Sequence, residues 1–565
     1  MLEEVGLAKA RDHKSRPSLS SVLRQTIKGS VVSFGAVALF AATARAQSPC
    51  VIDHQNIPAD IQAVFNKPFY DGAIWGLRVD DLDTGKTLID LKPDCPLFIG
   101  SVRKVFSVGE LVNQIGPDYR YNTPVFRVGD VDSRGVLHGD LVLVASGDLT
   151  MGGRTNPDGT IAVTNYDHNE ADSLGNAVLS APDPLAGYKA LAHQVAQHGI
   201  TEVKGDVIID DRLFQPFLFR NEFYVRPIFV NDDVVDASIR PTQVGERSQV
   251  AIRPLSSALR VKNQLFTGPA GSTSTLELNP ELPQCIGRPR CSARIEGELP
   301  VDFRPPFTNQ FPLVQTFRIV EPSNYARTVL IEALAAEGIS VHSRRVAPNR
   351  TDMLPNGQSY ENSQKVAELA GRPYSDDMRL VLKVSYNIGA DTSLVLFGLT
   401  RGANNMDDAL AVERRILPSV YHVPDDQFHF VDGSGGGDTV ATSQAVITML
   451  TELRKHPTFP AFFDALPILA IDGSLAGVTD FKSDATLAGA AGQVRAKTGT
   501  YVGADPTGAG LLLKGQAFAG YIATSHGKHL VYEVIVNNVP VGGIGDVYQI
   551  FQDEGTASAI LWRDF

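Results

Sequence analysis

The sequence predicts an α+β protein in which one sheet draws strands from both ends of the chain, helices lie beside it, and a mostly β insertion interrupts it. Three observations carry this. Strand-like apolar runs lie near both ends, at 74–91 and 493–536. Between them, apolar residues recur with helical spacing at 102–115, 325–338 and 378–398. From about 118 to 307, short apolar runs (125–128, 141–145, 203–210, 250–252) alternate with Gly and Asp turns, the texture of β structure. At 565 residues, 43% hydrophobic and 20% charged, the chain is long enough for more than one domain.

The N-terminus carries a basic stretch (Lys9, Arg11, Lys14, Arg16, Arg24, Lys28), an apolar run at 31–42, and Ala44-Arg45-Ala46 before Gln47. That order reads as a signal peptide over residues 1–46 with an Ala-x-Ala cleavage site. The apolar run is short for a bilayer span, so no transmembrane anchor is expected after cleavage. Ser48-Pro49 before Cys50 lacks the Leu and small residues that precede a lipid-modified Cys. The expected location is therefore outside the cytoplasm, in the periplasm or cell envelope. Net charge is −12, and without the first 46 residues 44 basic face 60 acidic residues, or −16. So acidic a chain argues against nucleic acid as a partner, since that binding depends on neutralising phosphates.

The mature chain keeps four cysteines, Cys50, Cys95, Cys285 and Cys291, an even number in an exported protein. Cys285 and Cys291 bracket a short loop and are expected to pair, leaving Cys50 for Cys95. The alternative is four free thiols. Neither a Cys-x-x-Cys nor a His-rich cluster is present, so no metal or other cofactor is expected.

Residues 74–80, the turn Asp83-Thr84-Gly85-Lys86 and residues 87–91 predict a hairpin. A short apolar run at 96–99 and a Gly100 turn follow. Val102, Val105, Phe106, Gly109, Val112 and Ile115 then predict a helix. Ser101 opens it, with Lys104 three residues on. A serine hydroxyl needs a neighbour to take its proton, and residues three apart on a helix share a face, so Lys104 is the candidate base. A Ser followed three residues later by Lys arises about twice by chance in a chain this long. It occurs twice here, and the second copy, Ser525-His526-Gly527-Lys528, lies between two apolar runs and reads as a hairpin turn. Context therefore decides for Ser101. Two more tripeptides follow it in order, Ser385-Tyr386-Asn387 and Lys497-Thr498-Gly499.

Asp432-Gly433-Ser434-Gly435-Gly436-Gly437 has neither the Gly-Lys-Ser/Thr of a phosphate loop nor the Gly-x-Ser-x-Gly of an esterase, and reads as a loop beside the site. Asp391, four residues beyond Asn387, reads as a brace on the same helix.

With these three motifs in this order, the chain resembles the serine acyl-transferases that include penicillin-binding proteins and class A β-lactamases. The long gap between Lys104 and Ser385 is similar to that of the S13 peptidase family. These are the class C low-molecular-mass penicillin-binding proteins, D-alanyl-D-alanine carboxypeptidases and endopeptidases with extra domains inside the catalytic domain. Gly139-Asp140-Leu141, Gly205-Asp206-Val207-Ile208, Val320-Glu321-Pro322-Ser323-Asn324-Tyr325-Ala326 and Asp432-Gly433-Ser434-Gly435 extend the resemblance over nearly all of the mature chain.

The resemblance implies a serine transpeptidase-like catalytic domain with a central antiparallel sheet and flanking helices. Its first part would span 47–118 and its second 308–565, around an inserted mostly β region of one or two small domains at 119–307. It implies that Ser101 forms an acyl-enzyme with peptidoglycan stem peptides ending in D-Ala-D-Ala, and is acylated by β-lactams. Lys104 would be the base and Ser385 a proton relay to the leaving amine. Asn387 would hold the substrate amide, and Lys497 would attract the terminal carboxylate. Thr498 and Thr500 would donate hydroxyl hydrogen bonds, Gly499 would let substrate backbone approach the strand, and the backbones of Ser101 and Thr500 would bind the oxyanion.

The chain departs from the family pattern at Tyr386, where Asp is usual, and at Arg103, where a smaller or neutral residue is frequent. A third departure is the long segment 501–514, whose glycines predict a mobile lip. The alternatives are an esterase or β-lactamase using the same Ser and Lys, and a non-catalytic peptidoglycan-binding scaffold.

Overall fold

The computed structural model describes residues 57–565, apart from 93 and 509. The expected signal peptide and Cys50 lie outside the described residues. The five-stranded sheet is formed by β1 (Ile74–Asp81) and β2 (Thr87–Leu91) from the N-terminal side and by β3 (Val494–Ala504), β4 (Leu511–Ala523) and β5 (His529–Val541) from the C-terminal side. Their order is β3-β4-β5-β1-β2 and every pairing is antiparallel, with Ile74 opposite Asn537 and Lys497 opposite Ala519.

Period-two alternation sends successive side chains to opposite faces. On one face Trp75, Leu77, Val79, Phe518, Tyr532 and Val534 form a core of large residues. On the other face Ala517, Ala519, Tyr521, Val531 and Ile535 meet the helices α1 (Lys104–Ile115), α2 (Tyr374–Lys383), α3 (Asn387–Leu399) and α4 (Ser443–Arg454). Small residues allow close packing: a Cβ on Gly109 of α1 would lie 2.9 Å from the Leu453 side chain of α4. The large-residue face is covered by α5 (Ile544–Asp564), which packs on β4 and β5. The strand-rich reading of the C-terminus missed this helix, although Val547, Ile550, Ala557, Ile560 and Leu561 carry its buried stripe.

The insertion extends beyond the expected boundary at 307. Strand Lys365–Pro373 pairs antiparallel with Arg120–Val131, and Ser340–Val341 pairs parallel with Glu202–Val203, so one sheet closes the region from 120 to 373. Local periodicity reveals each strand and not its distant partner, so the end of the insertion was invisible in the sequence. The region also holds a helix that the sequence reading did not expect, Ala186–Gln197, which packs inside its core on Pro322–Ala336, the helix expected at 325–338. Cys285 and Cys291 are bonded, with S–S 2.09 Å. No described cysteine is free. Residues after Tyr501 continue β3 and β4 as a hydrogen-bonded hairpin, with Val502, Gly503 and Ala504 opposite Leu513, Leu512 and Leu511. Ser525–Lys528 lies in the turn between β4 and β5, as its context predicted. Among the described residues no helix is long and apolar enough to cross a membrane.

Candidate active site

The nucleophile candidate stands on a 3-10 turn, Gly100–Arg103, that leads directly into α1. In a 3-10 turn residues i and i+3 eclipse, bringing Lys104 closer to Ser101 than α-helical geometry does. Lys104 Nζ lies 2.5 Å from Ser101 Oγ. The turn requires Gly100, which has φ +51° and whose Cβ would sit 2.9 Å from Thr500 N.

Three other segments converge on Lys104. Its Nζ is 2.7 Å from Asn387 Oδ1, 3.1 Å from the Ser434 carbonyl and 3.2 Å from Ser385 Oγ. Ser385 occupies the break between α2 and α3 with φ +64°, a left-handed conformation uncommon for a non-glycine residue and concentrated at functional sites. From β3, Lys497 Nζ donates to Ser385 Oγ at 3.0 Å and to the Thr498 carbonyl at 2.7 Å. Ser385 therefore bridges the two lysines.

Both lysines are fully buried. Burial pushes the Lys104 pKa down to about 7 against the pull of the Glu170 carboxylate, and the Arg220 charge lowers it further. Lys497 is held well below its ordinary value, first by burial and then by the Lys104 charge. A neutral Lys104 amine has two hydrogens for its two obligate acceptors, Asn387 Oδ1 and the Ser434 carbonyl. Its lone pair is then left for a serine hydroxyl.

The Ser434 carbonyl is fixed by the glycine-rich loop. Asp432 Oδ1 accepts from the N–H groups of Ser434 (3.0 Å) and Gly435 (2.7 Å), and Asp391 Oδ1 from that of Gly433 (2.9 Å). Asp391 thus braces this loop rather than its own helix, and burial, reinforced by Asp432, pushes its pKa up to about 8. Arg103 is buried behind the same loop, its Nε donating to the Asp432 carbonyl at 2.9 Å, and its guanidinium lies 2.6 Å from Glu413 and over the Phe430 ring.

The third motif differs in detail from expectation. A Cβ on Gly499 would lie 2.1 Å from the Ile99 carbonyl and 3.0 Å from Ser101 N. The missing side chain makes room for the nucleophile's own turn, and substrate is not needed to explain it. Thr500 donates its hydroxyl to Gln516 Oε1 at 2.7 Å, across the sheet, so what it presents beside Gly100 is its backbone N–H. Thr498 Oγ1 shares a hydrogen bond with Ser474 Oγ at 2.8 Å.

One site residue was missed altogether. Glu170, on the short turn His168–Glu170 of the insertion, accepts from Asn387 Nδ2 at 3.3 Å. Asp167-His168-Asn169-Glu170 reads locally as a polar turn, and no signal in the chain pairs it with Asn387. The turn is held by a buried ion cluster. Arg154 donates to both Asp167 oxygens at 2.8 Å and to Asp232, while His168 donates to Asp232 and Asp236, each at 2.8 Å. Burial alone would lower the His168 pKa. The surrounding carboxylates of Asp236, Asp167 and Asp232 overcome this and raise it to about 10. Asp167, His168 and Asp232 bring ligand atoms within 4.8 Å of one another, the span of a metal site, but the Arg154 guanidinium already supplies the positive charge among them. Tyr386, buried between its motif neighbours, points its hydroxyl at the Asp232 carbonyl, 3.4 Å away.

An antiparallel sheet flanked by helices, with a Ser-x-x-Lys turn, a Ser-x-Asn break and a Lys-Thr-Gly strand around one point, defines a serine hydrolase of the penicillin-binding protein and β-lactamase fold. The family model of the D-Ala-D-Ala carboxypeptidase 3 (S13) family matches residues 57–546, and the chain belongs to that family. It is 25% identical over 508 residues to the D-alanyl-D-alanine carboxypeptidase of Actinomadura sp. (strain R39), covering 85% of this chain and 80% of that one. It is similar in fold to penicillin-binding protein 4 of Haemophilus influenzae, with TM-score 0.64 and 15% identity over 90% of this chain and 100% of that one. The same protein complexed with a β-lactam matches with TM-score 0.62 and 16% identity over the same shares.

Proposed function

We propose that this protein is a serine-type D-Ala-D-Ala carboxypeptidase and/or endopeptidase acting on peptidoglycan stem peptides through an acyl-enzyme on Ser101. The observation that carries this is the 2.5 Å approach of Lys104 Nζ to Ser101 Oγ, with the Lys104 pKa near neutrality. Ser101 Oγ attacks the carbonyl carbon of the penultimate D-Ala as its proton passes to Lys104. The tetrahedral oxyanion is met by the backbone N–H groups of Ser101 and Thr500. Collapse breaks the C–N bond, and the proton reaches the leaving nitrogen through Ser385, which both lysines touch. Water then cleaves the ester, returning Ser101. The leaving amine is D-Ala in the carboxypeptidase reaction and the cross-linking amine of a second stem peptide in the endopeptidase reaction.

Lys497 receives the substrate carboxylate. The arriving anion favours the charged form of Lys497, and that charge in turn holds Lys104 neutral. β-Lactams acylate the same oxygen. The N-terminal sequence supports export to the cell envelope.

Intact-mass analysis after incubation with penicillin tests the assignment. A stable adduct on the wild type and none on Ser101→Ala supports it. An unmodified wild type with the drug intact refutes it. Release of D-Ala from a D-Ala-D-Ala peptide then separates a peptidase from a β-lactamase.

A further inference from the structure

We propose that Glu170, contributed by the inserted region, is a positioning residue that fixes the Asn387 amide and, through it, the direction of the Lys104 lone pair. The inference rests on the reading of Lys104 as the base for Ser101. An asparagine amide has an acceptor end and a donor end, and turning it over exchanges them. As a carboxylate Glu170 accepts only; burial pushes its pKa up against the pull of the Lys104, Arg220 and Lys497 charges, and in its ionised form it holds Nδ2 on its own side at 3.3 Å. Oδ1 is thereby kept 2.7 Å from Lys104 Nζ. With Oδ1 and the Ser434 carbonyl each taking one hydrogen of the neutral amine, the lone pair is directed to the serines. Were the amide reversed, Nδ2 would face Lys104 as a donor and compete with Ser101 for that lone pair.

The turn that carries Glu170 is anchored. Glu170 lies two residues after His168 and three after Asp167, both locked in the buried cluster with Arg154, Asp232 and Asp236. It also exerts the strongest pull of any anion on Lys104, which otherwise faces Arg220 from the insertion, Asp391 from α3, Asp432 from the glycine-rich loop and Lys497 from β3. The insertion thereby contributes to the chemistry as well as to the shape of the site.

Two substitutions separate orientation from charge. Glu170→Gln presents an acceptor oxygen to Asn387 Nδ2 but no charge, and its own donor nitrogen lets a share of the molecules hold the reversed amide, whereas Glu170→Ala presents neither group. The measurement is the rate of acylation by a fluorescent penicillin as a function of pH, in the full mature chain, with melting temperature as a check on folding. For Glu170→Gln the plateau rate stays within roughly threefold of wild type. Its acid limb moves down by roughly one pH unit, because losing a nearby anion makes Lys104 easier to deprotonate. For Glu170→Ala the plateau falls roughly tenfold or more, because the amide is free to turn. A Glu170→Ala plateau equal to that of Glu170→Gln overturns the proposal, and an acid limb unmoved in Glu170→Gln overturns the accompanying charge effect on Lys104. If Glu170→Ala does not fold, Glu170→Leu, of similar size and likewise without an acceptor, takes its place in the plateau comparison. A wild type that penicillin does not acylate at all removes the reading on which the proposal stands.

Discussion

Gly499→Ala is a one-methyl change whose consequence follows from the contact it creates. The added Cβ would sit 2.1 Å from the Ile99 carbonyl oxygen and 3.0 Å from both Ser101 N and Val102 N. All three are backbone atoms of the nucleophile turn, so no side chain can rotate away. Restoring even the tightest ordinary contact requires β3 and the turn to separate by about 1 Å, at an overpacking cost of about 1–3 kcal/mol. The fold tolerates that, since β3 remains paired with β4 along its length. The chemistry does not, because the same displacement carries Lys497 and Thr500 N away from Ser101, and misplacement of about 1 Å lowers rates by about 10²-fold. The assay is the second-order rate of acylation by a fluorescent penicillin, beside a thermal melt. The expected result is a folded protein acylated about 100-fold more slowly. A variant acylated within roughly threefold of wild type would refute the claim that Gly499 exists for the turn.

Lys104→Ala should lower acylation by about 10²–10⁴-fold, and the wild-type rate should rise with pH through about 7, because the amine must be neutral to accept the proton. A flat profile contradicts Lys104 as the base. Arg154→Met removes the cation shared by Asp167 and Asp232 and should destabilise the protein by about 3–5 kcal/mol, read by urea denaturation. His168→Gln should also destabilise it, with a defined pH dependence. The pKa is raised from 6.5 to about 10 on folding, so the contribution is complete below about 6.5 and lost as pH rises through about 10. The stability gap between wild type and His168→Gln should narrow across that window. Tyr386→Asp, which restores the residue usual in the family, replaces a 1%-exposed ring with a carboxylate beside Asp232 and Asp233. It should cost about 3–5 kcal/mol, measured by melting, and an unchanged melt would show that the ring has no packing role.

What the sequence disclosed and what it concealed divide by range. Ser101 with Lys104, and the strand bearing Lys497, were legible because each needs only local periodicity: a short apolar run, a glycine, a helical stripe, a second apolar run. Ser434 was legible only as part of a loop beside the site, and Glu170 not at all, because what makes them site residues is a contact with Lys104 or Asn387 across hundreds of residues. The boundary at 307 was misplaced for the same reason, since the strand at 365–373 belongs to the insertion only by pairing with 120–131. Gly499 and Thr500 show a subtler limit. Their positions were found, yet sequence could not tell whether the missing side chain faces substrate or the turn, or whether a hydroxyl faces the cleft or Gln516.

The strand order β3-β4-β5-β1-β2 also dictates a sequence of assembly. β1 hydrogen-bonds to β2 and to β5, where Ile74 near one end of the chain meets Asn537 near the other. Contacts so distant in the chain form late, because the entropy of closing the intervening loop opposes them before any contact rewards it. The insertion closes its own sheet between 120 and 373 without needing either end. Within the sheet, Lys497 is linked to the strands that precede Ser101 only through β4 and β5, so the active site is expected among the last parts of the molecule to form. A chain cut between residues 504 and 529 would carry every motif residue and have no site at all.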